Sequence, residues 1–344
     1  IVAVCDTGID YNHSEFAGRI VDGYDFVNND NDATDGHGHG THCSGTIAGA
    51  NDGVGITGVA YDAKIMPIKV LSDGGWGFTS WIVSGIRWAV DHGADVINLS
   101  LGGGGFNQSS YDAVKYACDN GVVVAMASGN DYASRPGYPA HYATDYGLAV
   151  GAVDQSRNDA GFSNRAGSEI MDYVSAPGVR VYSAIPGGGY ARWNGTSMAA
   201  PHIAGMAALL KSYNKDLSAA QIEKLICASS DNSDVEMISS EDFNDVFANP
   251  KEPISGYENK FDKNASGSDY LDWAFNLIGD ADEKMFIGGT EGFYENQNLS
   301  SDEKLFSGGS KTFDETQLIA EEKMFMGGTE GFYENQNLSS DEKL

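Results

Sequence analysis

The six apolar residues 122–127, Val-Val-Val-Ala-Met-Ala, give the clearest indication of fold in this sequence. A short run that is apolar at every position is typical of a β-strand buried on both faces, as in a parallel sheet covered by helices. Further strands are predicted at 1–5, 64–70, 96–99, 148–153 and 174–176, most of them also in apolar or β-branched runs. We therefore expect a mostly parallel sheet with both faces buried.

The segments between these strands carry helical patterns. Helices are predicted at 79–92, 109–120, 196–213 and 218–228. In the first of them, the apolar residues are spaced near the helical period of 3.6 and are Ile82, Ile86, Trp88 and Ala89. Gly93 is typical of the residue that ends a helix. Strands that alternate with helices predict an α/β fold, with a doubly wound, mostly parallel sheet and helices on both of its faces. Such sheets bind ligands beyond the carboxyl ends of their strands.

The composition excludes several classes of protein. The chain has 344 residues, with 49 Asp and Glu against 21 Lys and Arg, and its net charge of −28 argues against nucleic-acid or anionic-membrane partners. Its longest apolar run, at 122–127, is far shorter than the roughly 20 residues of a membrane span. Four cysteines are too few for a disulfide scaffold, although a bridge between Cys5 and Cys43 stays possible.

The last 65 residues differ from the rest because their sequence is repetitive. Residues 283–305 recur at 322–344 with one difference, Ile287 against Met326, and 303–310 is a degenerate copy of 283–290. The repeating unit is therefore about 20 residues long. We divide the chain into a domain at 1–279 and an acidic tandem-repeat tail at 280–344, which is a spacer or an interaction module. The chain begins inside the apolar run 1–5 and ends inside a repeat, and we expect both ends to be truncated.

Three glycine-containing segments carry the residue types of nucleophilic catalysis. Asp6 follows the predicted strand 1–5. His39, in His-Gly-Thr-His, and Ser197, in Gly-Thr-Ser-Met-Ala, are predicted at glycine-flanked starts of helices, where the backbone can turn sharply and present a side chain into a cleft. A serine hydroxyl is a poor nucleophile until a base removes its proton, and a histidine base needs a carboxylate to fix its tautomer. The three residues supply these roles.

These motifs, in the order Asp, His, Ser, resemble those of the subtilisin-like serine proteases, the subtilase or peptidase S8 family, with proteinase K-like and thermitase-like features. The resemblance covers about residues 1–279 and implies a serine endopeptidase that forms an acyl-enzyme. It implies that Asp6 orients the base, that His39 is general base and then acid, and that Ser197 is the nucleophile. Asn130, in Ser-Gly-Asn, matches the side-chain donor to the oxyanion, with the Ser197 amide as second donor.

The resemblance also assigns contacts with a polypeptide substrate. Two extended edges, 100–103 and 74–77, match those that pair with the substrate backbone as added strands. The residues assigned to substrate binding are Ser100, Leu101, Gly102, Gly75, Ala127, Gly129 and Gly137. The last three match the walls and floor of the primary pocket. Small residues there imply room for a large apolar side chain before the scissile bond. We expect broad specificity with a preference for such residues.

Residues 50–60 resemble the calcium loop of the same family. Carboxylates of Glu15 and Asp52 and carbonyls of Ala50, Val54 and Ile56 would be the ligands, since Ca²⁺ prefers oxygen. The ion would stabilise the fold and take no part in catalysis. The alternative is a glycine-rich surface turn with solvated carboxylates.

Other candidate residues have simpler interpretations. Cys43 matches a free thiol behind the catalytic histidine in the proteinase K-like branch, but we prefer to interpret it as a small buried apolar residue. His37, His39, His42 and His202 together could indicate zinc. We interpret His42 and His202 as structural, because the resemblance assigns only His39 to the chemistry.

The expected partners are polypeptide substrates and a pro-segment inhibitor outside this chain, without nucleic acid. We expect a secreted monomer, with vacuolar or intracellular locations as alternatives. The competing functional class is a non-catalytic binding protein that acts through the C-terminal repeats and uses the protease fold as a scaffold.

Overall fold

A computed structural model describes residues 1–230 and the backbone of a short strand at Lys323–Phe325. Its strands are β1 (Val2–Asp6), β2 (Tyr24–Asp25), β3 (Ile65–Lys69), β4 (Trp76–Phe78), β5 (Val96–Leu99), β6 (Val123–Ala127), β7 (Leu148–Val153), β8 (Tyr173–Pro177), β9 (Val181–Ile185), β10 (Gly189–Trp193) and β11 (Lys323–Phe325). Its α-helices are α1 (His39–Ala48), α2 (Thr79–Asp91), α3 (Gln108–Asp119), α4 (Thr196–Tyr213) and α5 (Ala219–Ala228). Single 3₁₀ turns lie at Ser14–Phe16 and Ala140–Thr144.

The main sheet has seven strands in the order β2-β3-β1-β5-β6-β7-β8, and every neighbouring pair is parallel. β1 pairs on one side with β3 and on the other with β5, through Val2 opposite Ile65 and Val96. The chain therefore winds outward in both directions from β1. This doubly wound parallel sheet confirms the fold predicted from the apolar runs.

Helices cover both faces of the sheet, and each face has its own core. Alternate residues of β1 point to opposite faces, so Val2 and Val4 lie in one cluster while Ala3 and Cys5 lie in the other. The first cluster contains residues of α1, α4 and α5, and the second contains residues of α2 and α3. Two-sided burial explains why the strands read as continuous apolar runs.

The strand β2 and the hairpin β9–β10 lie outside the predicted set, and of α1 only its start at His39 was predicted. α1 is buried at all ten of its positions, so it has no polar face and no amphipathic signal in the sequence. The antiparallel hairpin β9–β10, which joins Val181–Ile185 to Gly189–Trp193, mixes apolar and polar residues without a clear period. The predicted repeat tail lies outside the described residues except for Lys323–Phe325. In the part of the chain that is described, no helix has the length and apolar character to cross a membrane.

Candidate active site

The predicted site residues meet at the carboxyl ends of the central strands. Asp6 is the last residue of β1, Ser100 follows β5, and Asn130 lies just beyond β6. β1 and β5 flank the point where the strand order reverses, which is where ligands bind in doubly wound sheets. His39 and Ser197 reach the same place from the amino-terminal turns of α1 and α4. These residues, distant in sequence, are thereby brought together.

Asp6 and His39 form a buried pair. The His39 Nδ1 atom lies 2.8 Å from Asp6 Oδ1 and 2.9 Å from Oδ2, and both residues are 0% exposed. The Thr7 amide donates to Asp6 Oδ1 as well. Burial alone would lower the pKa of His39, but the Asp6 carboxylate and Cys43 raise it well above the ordinary value of 6.5. Because Nδ1 faces the carboxylate, Nε2 is the nitrogen that can act on a substrate or a nucleophile, and it has no hydrogen-bond partner in the described structure.

Asp35 holds the segment that leads into His39, a role that the sequence analysis missed. Its buried carboxylate accepts hydrogen bonds from the amides of His37 (2.9 Å), Gly38 (2.7 Å) and Thr41 (2.9 Å). It also accepts from the hydroxyls of Thr7 (2.9 Å) and Thr41 (2.6 Å). Burial alone would raise the pKa of Asp35, but these hydrogen bonds outweigh it, so its pKa lies below 3.8. The available signal was an aspartate ahead of a glycine-rich helix start, a capping pattern.

Gly38 turns the chain into α1. Its φ of 105° lies in a region that L-residues avoid, so a glycine is required at this point. The turn directs the first helical residue, His39, toward Asp6.

Ser197 lies at the start of α4 and exchanges hydrogen bonds with Ser100. The Ser197 hydroxyl donates to the Ser100 carbonyl at 3.1 Å, and the Ser100 hydroxyl donates to the Ser197 carbonyl at 2.7 Å. Asn98 supports this pair by donating to the Ser100 hydroxyl. The Ser197 hydroxyl thus bonds to Ser100, while His39 Nε2 has no hydrogen-bond partner in the described structure. Contacts between a nucleophile and its base are often loose without substrate and tighten when substrate binds. Ser100, predicted only as a substrate contact, thus also positions Ser197.

Asn130 presents an amide donor next to Ser197. Its Oδ1 accepts from the Thr196 amide at 2.8 Å and from the Thr196 hydroxyl at 3.1 Å. Since a backbone amide can only donate, these contacts fix the oxygen and leave Nδ2, which has no partner in the described structure, as a free donor. Amides in the first turn of an α-helix also lack partners within the helix. Asn130 Nδ2 and the Ser197 amide can therefore both bind a developing negative charge.

The predicted substrate-contacting residues lie around this point. Leu101 and Ala127 are 1% and 5% exposed, and Gly102 is partly exposed. At Gly129 the φ is 106°, and a Cβ would come within 2.3 Å of the Asn164 side chain, so the backbone there requires glycine. The Gly137 amide donates to the Ser128 carbonyl, which joins this loop to the end of β6.

Gly75 precedes the edge strand β4, which is the second predicted substrate edge. β4 pairs with β11 in a separate two-stranded sheet.

The cysteines near the site are thiols. Cys5 and Cys43 are both free and fully buried, so the structure contains no bridge between them. Cys43 Sγ lies 3.9 Å from His39 Nδ1 and 3.4 Å from the Ser197 carbonyl, and burial raises its pKa. The ligand atoms of Asp6, His39 and Cys43 lie within 4.8 Å of one another, the described group closest to a metal-binding arrangement. Their hydrogen bonds instead tie the imidazole to the carboxylate.

His42 and His202, interpreted above as structural, bind backbone carbonyls. His42 Nε2 contacts the carbonyls of Val181 and Ala191 in the β9–β10 hairpin, and burial lowers its pKa to about 3. Trp193 stacks on the His42 ring with centroids 4.7 Å apart. His202 contacts the Met198 carbonyl, and burial lowers its pKa to about 4. Both rings are therefore neutral near pH 7.

The predicted calcium loop encloses the Glu15 carboxylate. Glu15 is 2% exposed and accepts hydrogen bonds from the Ala50 amide (2.7 Å), the Ile56 amide (3.1 Å) and the Tyr190 hydroxyl (2.6 Å). Among the described ion pairs none neutralises this buried charge. Arg19 binds the Glu15 backbone oxygen and not its carboxylate.

Asp52 lies in the exposed part of the loop, where it accepts from the Val54 amide at 2.9 Å. A buried carboxylate without a cation, a second carboxylate and loop carbonyls are all oxygen donors, and this set fits a calcium ion. The amides bound to Glu15 also anchor the loop without an ion.

Comparisons with known proteins identify the family. The model of the subtilase family, Peptidase_S8, matches residues 1–247. Subtilisin DY of Bacillus licheniformis is 45% identical over 235 residues, which are 67% of this chain and 83% of that protein. Subtilisin E of Bacillus subtilis (strain 168) is 46% identical over 226 residues, 64% of this chain, and the match spans only 58% of its length.

A solved structure is also similar. The crystal structure of a cold adapted subtilisin-like serine proteinase matches with a TM-score of 0.62 and 41% identity, over 68% of this chain and 84% of that one. The sheet order, the residues gathered at its carboxyl edge and these matches lead to one conclusion. The chain belongs to the subtilase family and is a serine endopeptidase of the subtilisin type.

Proposed function

We propose that this protein hydrolyses internal peptide bonds of extended polypeptides, with Asp6, His39 and Ser197 as its catalytic triad. The observation that carries the proposal is the pair of hydrogen bonds between His39 Nδ1 and the buried Asp6 carboxylate, beside a serine at the start of α4. This arrangement fixes the tautomer of the neutral imidazole, so that above the pKa of His39 its Nε2 atom can act as the base.

In the acylation step, His39 Nε2 accepts the Ser197 hydroxyl proton as Ser197 Oγ attacks the scissile carbonyl. The Asp6 carboxylate stabilises the imidazolium that forms, which is consistent with the raised pKa of His39. His39 then donates this proton to the leaving amine. In deacylation the imidazole activates a water molecule, which attacks the acyl-enzyme and regenerates the Ser197 hydroxyl.

Asn130 Nδ2 and the Ser197 amide would stabilise the oxyanion. The support is the unpartnered Nδ2, aimed away from the Thr196 contacts that hold its oxygen. The loss of one such donor is known from subtilisin itself to cost about 10²–10³ in turnover.

The substrate backbone would lie between β4 and the segment that contains Ser100, Leu101 and Gly102. Strand addition uses main-chain hydrogen bonds and therefore accepts many sequences. Specificity would come from the pocket beside Ala127, Gly129 and Gly137, whose small residues leave room for a large apolar side chain before the scissile bond.

Calcium would stabilise the loop at 50–60 without entering the chemistry. Glu15, Asp52 and the carbonyls of Ala50, Val54 and Ile56 would hold it. The buried, uncompensated charge of Glu15 supports this proposal. We also propose an extracellular, monomeric enzyme produced with a pro-segment inhibitor.

Internally quenched peptides that differ only in the residue before one cleavable bond test this function. Phe and Leu at that position should give higher kcat/KM than Asp or Gly. Ser197→Ala should reduce hydrolysis to background, whereas Ser212→Ala, near the far end of the same helix, should leave it unchanged. Each variant is first shown to be folded by circular dichroism.

A folded wild-type chain that cleaves none of these peptides with calcium present would contradict the proposal. Function would then pass to the alternative, a binding protein that acts through its repeats.

A further inference from the structure

The tail strand β11 lies against the edge strand β4. The two are antiparallel, with Lys323 opposite Phe78, Met324 opposite Gly77 and Phe325 opposite Trp76. Among the described elements, β11 is the one strand that pairs with β4. A strand from the C-terminal repeats thus occupies the edge that the proposed function assigns to substrate.

The paired strand belongs to a repeated motif. Residues 322–325 read Glu-Lys-Met-Phe, the same four residues stand at 283–286, and Glu-Lys-Leu-Phe stands at 303–306. Ladder hydrogen bonds use only the main chain, and the side chains of the three copies are nearly identical. Each copy therefore has the chemistry to pair with β4 in the same way.

β4 cannot hold a tail strand and a substrate strand on the same row of backbone groups. An unpaired strand edge accepts one additional strand at a time. The tail is covalently attached, so its concentration at β4 does not depend on protein concentration, and tethered ligands typically reach the order of millimolar. Weak intrinsic affinity is then enough for occupancy.

The reactive residues are also closed to solvent in this structure. His39 is 0% exposed and Ser197 is 1% exposed, although both must contact a polypeptide during cleavage. In this structure, with β11 on β4, both side chains are therefore closed to solvent.

We propose that the Glu-Lys-Met/Leu-Phe segments of the tail are an intramolecular competitor, which adds a strand to β4 and restrains the enzyme until substrate displaces it. The inference rests on the proposed function, because it assigns regulation to that same site. The segment acts through its backbone and forms no covalent bond with Ser197.

A disulfide between opposed residues tests the contact. Directly opposed residues of antiparallel strands have Cα atoms about 4.5–5.5 Å apart, within the range that a disulfide spans. Phe78→Cys with Lys323→Cys should crosslink under mild oxidation, as seen by peptide mapping. The control pair, Lys115→Cys with Lys323→Cys, places one cysteine on the exposed surface of α3 and should crosslink far less.

Hydrolysis of a long quenched peptide is followed before and after reduction. The crosslinked protein should lose at least about tenfold in rate and recover with dithiothreitol, because β4 is then released. A reduced protein that cleaves nothing would mean that the proposed function has failed. Crosslinking no greater than in the control, or a crosslinked protein as fast as the reduced one, would overturn the inference alone.

Prolines in all three segments give a test without a crosslink. Met285→Pro, Leu305→Pro and Met324→Pro remove a ladder donor from each copy, and Asn296→Pro, Gln317→Pro and Asn335→Pro are the control in the same tail. The first variant should lower KM about threefold or more at unchanged kcat, as expected when a tethered competitor is lost. Equal KM values in both variants and the wild type would overturn the inference.

Discussion

Asp35→Asn is the substitution that best tests how the catalytic histidine is held. The Asp35 carboxylate accepts five hydrogen bonds, three of them from backbone amides in the turn before α1 and its first residues. Asparagine keeps the shape but replaces one acceptor oxygen with an NH₂ group. If that group stands at the Oδ2 position, the Thr41 amide loses its partner in a site that is only 4% exposed.

The magnitude follows from these contacts. One buried amide without a partner costs about 1–3 kcal/mol, and the remaining contacts weaken because they are no longer charge-assisted. We expect the free energy of unfolding to fall by about 3 kcal/mol. Asp32→Asn is the matched control, since Asp32 accepts only from Thr34 on the exposed surface and should change stability by less than about 0.5 kcal/mol.

Urea unfolding in a Ser197→Ala background, which prevents self-digestion, measures both variants. The low pKa of Asp35 adds a pH signature. Its stabilising contribution is present above 3.8, the ordinary pKa, and is lost as the pH falls through the lower folded-state value. The acid-induced loss of stability should therefore be smaller in Asp35→Asn. A Asp35→Asn protein as stable as Asp32→Asn would refute this account of the turn.

Three further outcomes are expected. Because protonated His39 cannot accept the Ser197 proton, kcat/KM should decline as the pH drops through the His39 pKa, which lies above 6.5. The stability that the His39–Asp6 pair contributes should be full below pH 6.5 and decline as the pH rises through the same pKa. Profiles of rate and of stability against pH measure the two effects, and a rate profile whose acidic limb lies below pH 6.5 would argue against this pairing. Calcium at 100 times its dissociation constant should stabilise the fold by about 2.7 kcal/mol, which would appear as a higher Tm in calcium than in chelator. The gain in Tm should be smaller in Asp52→Asn, and an identical Tm in calcium and in chelator would favour the solvated turn. Asn130→Leu should lower kcat about 10²–10³-fold, the loss known from subtilisin itself, with little change in KM in steady-state assays; a loss confined to KM would assign Asn130 to substrate binding.

The sheet was predictable because both of its faces are covered. Strands at 96–99 and 148–153 begin and end where the apolar runs predict, and so does the helix at 196–213. Burial on both faces removes most polar residues from such strands, with the buried Asn98 as the exception in 96–99, so the run itself marks their limits. At the edges of elements the prediction differs by a residue or two. The helix predicted at 79–92, for example, ends at Asp91, and His92 caps it.

Tertiary contacts decided what the sequence could not predict. α1 has no polar face because the sheet, α4 and the β9–β10 hairpin enclose it. The stacking of Trp193 on His42 is a contact between the hairpin and α1 that the sequence does not show. Asp35 is one aspartate among many until its five donors are seen. Glu15 was expected as a metal ligand, whereas its observed contacts are amides and a tyrosine hydroxyl, which a single sequence does not specify.

The central claim is that His39 and Asp6 activate Ser197, and covalent labelling with a fluorophosphonate tests it most directly. The folded wild-type chain should gain one phosphonyl group, located on Ser197 by peptide mapping, and should label faster as the pH rises through the pKa of His39. Ser197→Ala should take no label and Ser212→Ala should label normally. A folded, calcium-loaded wild type that stays unlabelled, or a label found on another serine, would contradict the account.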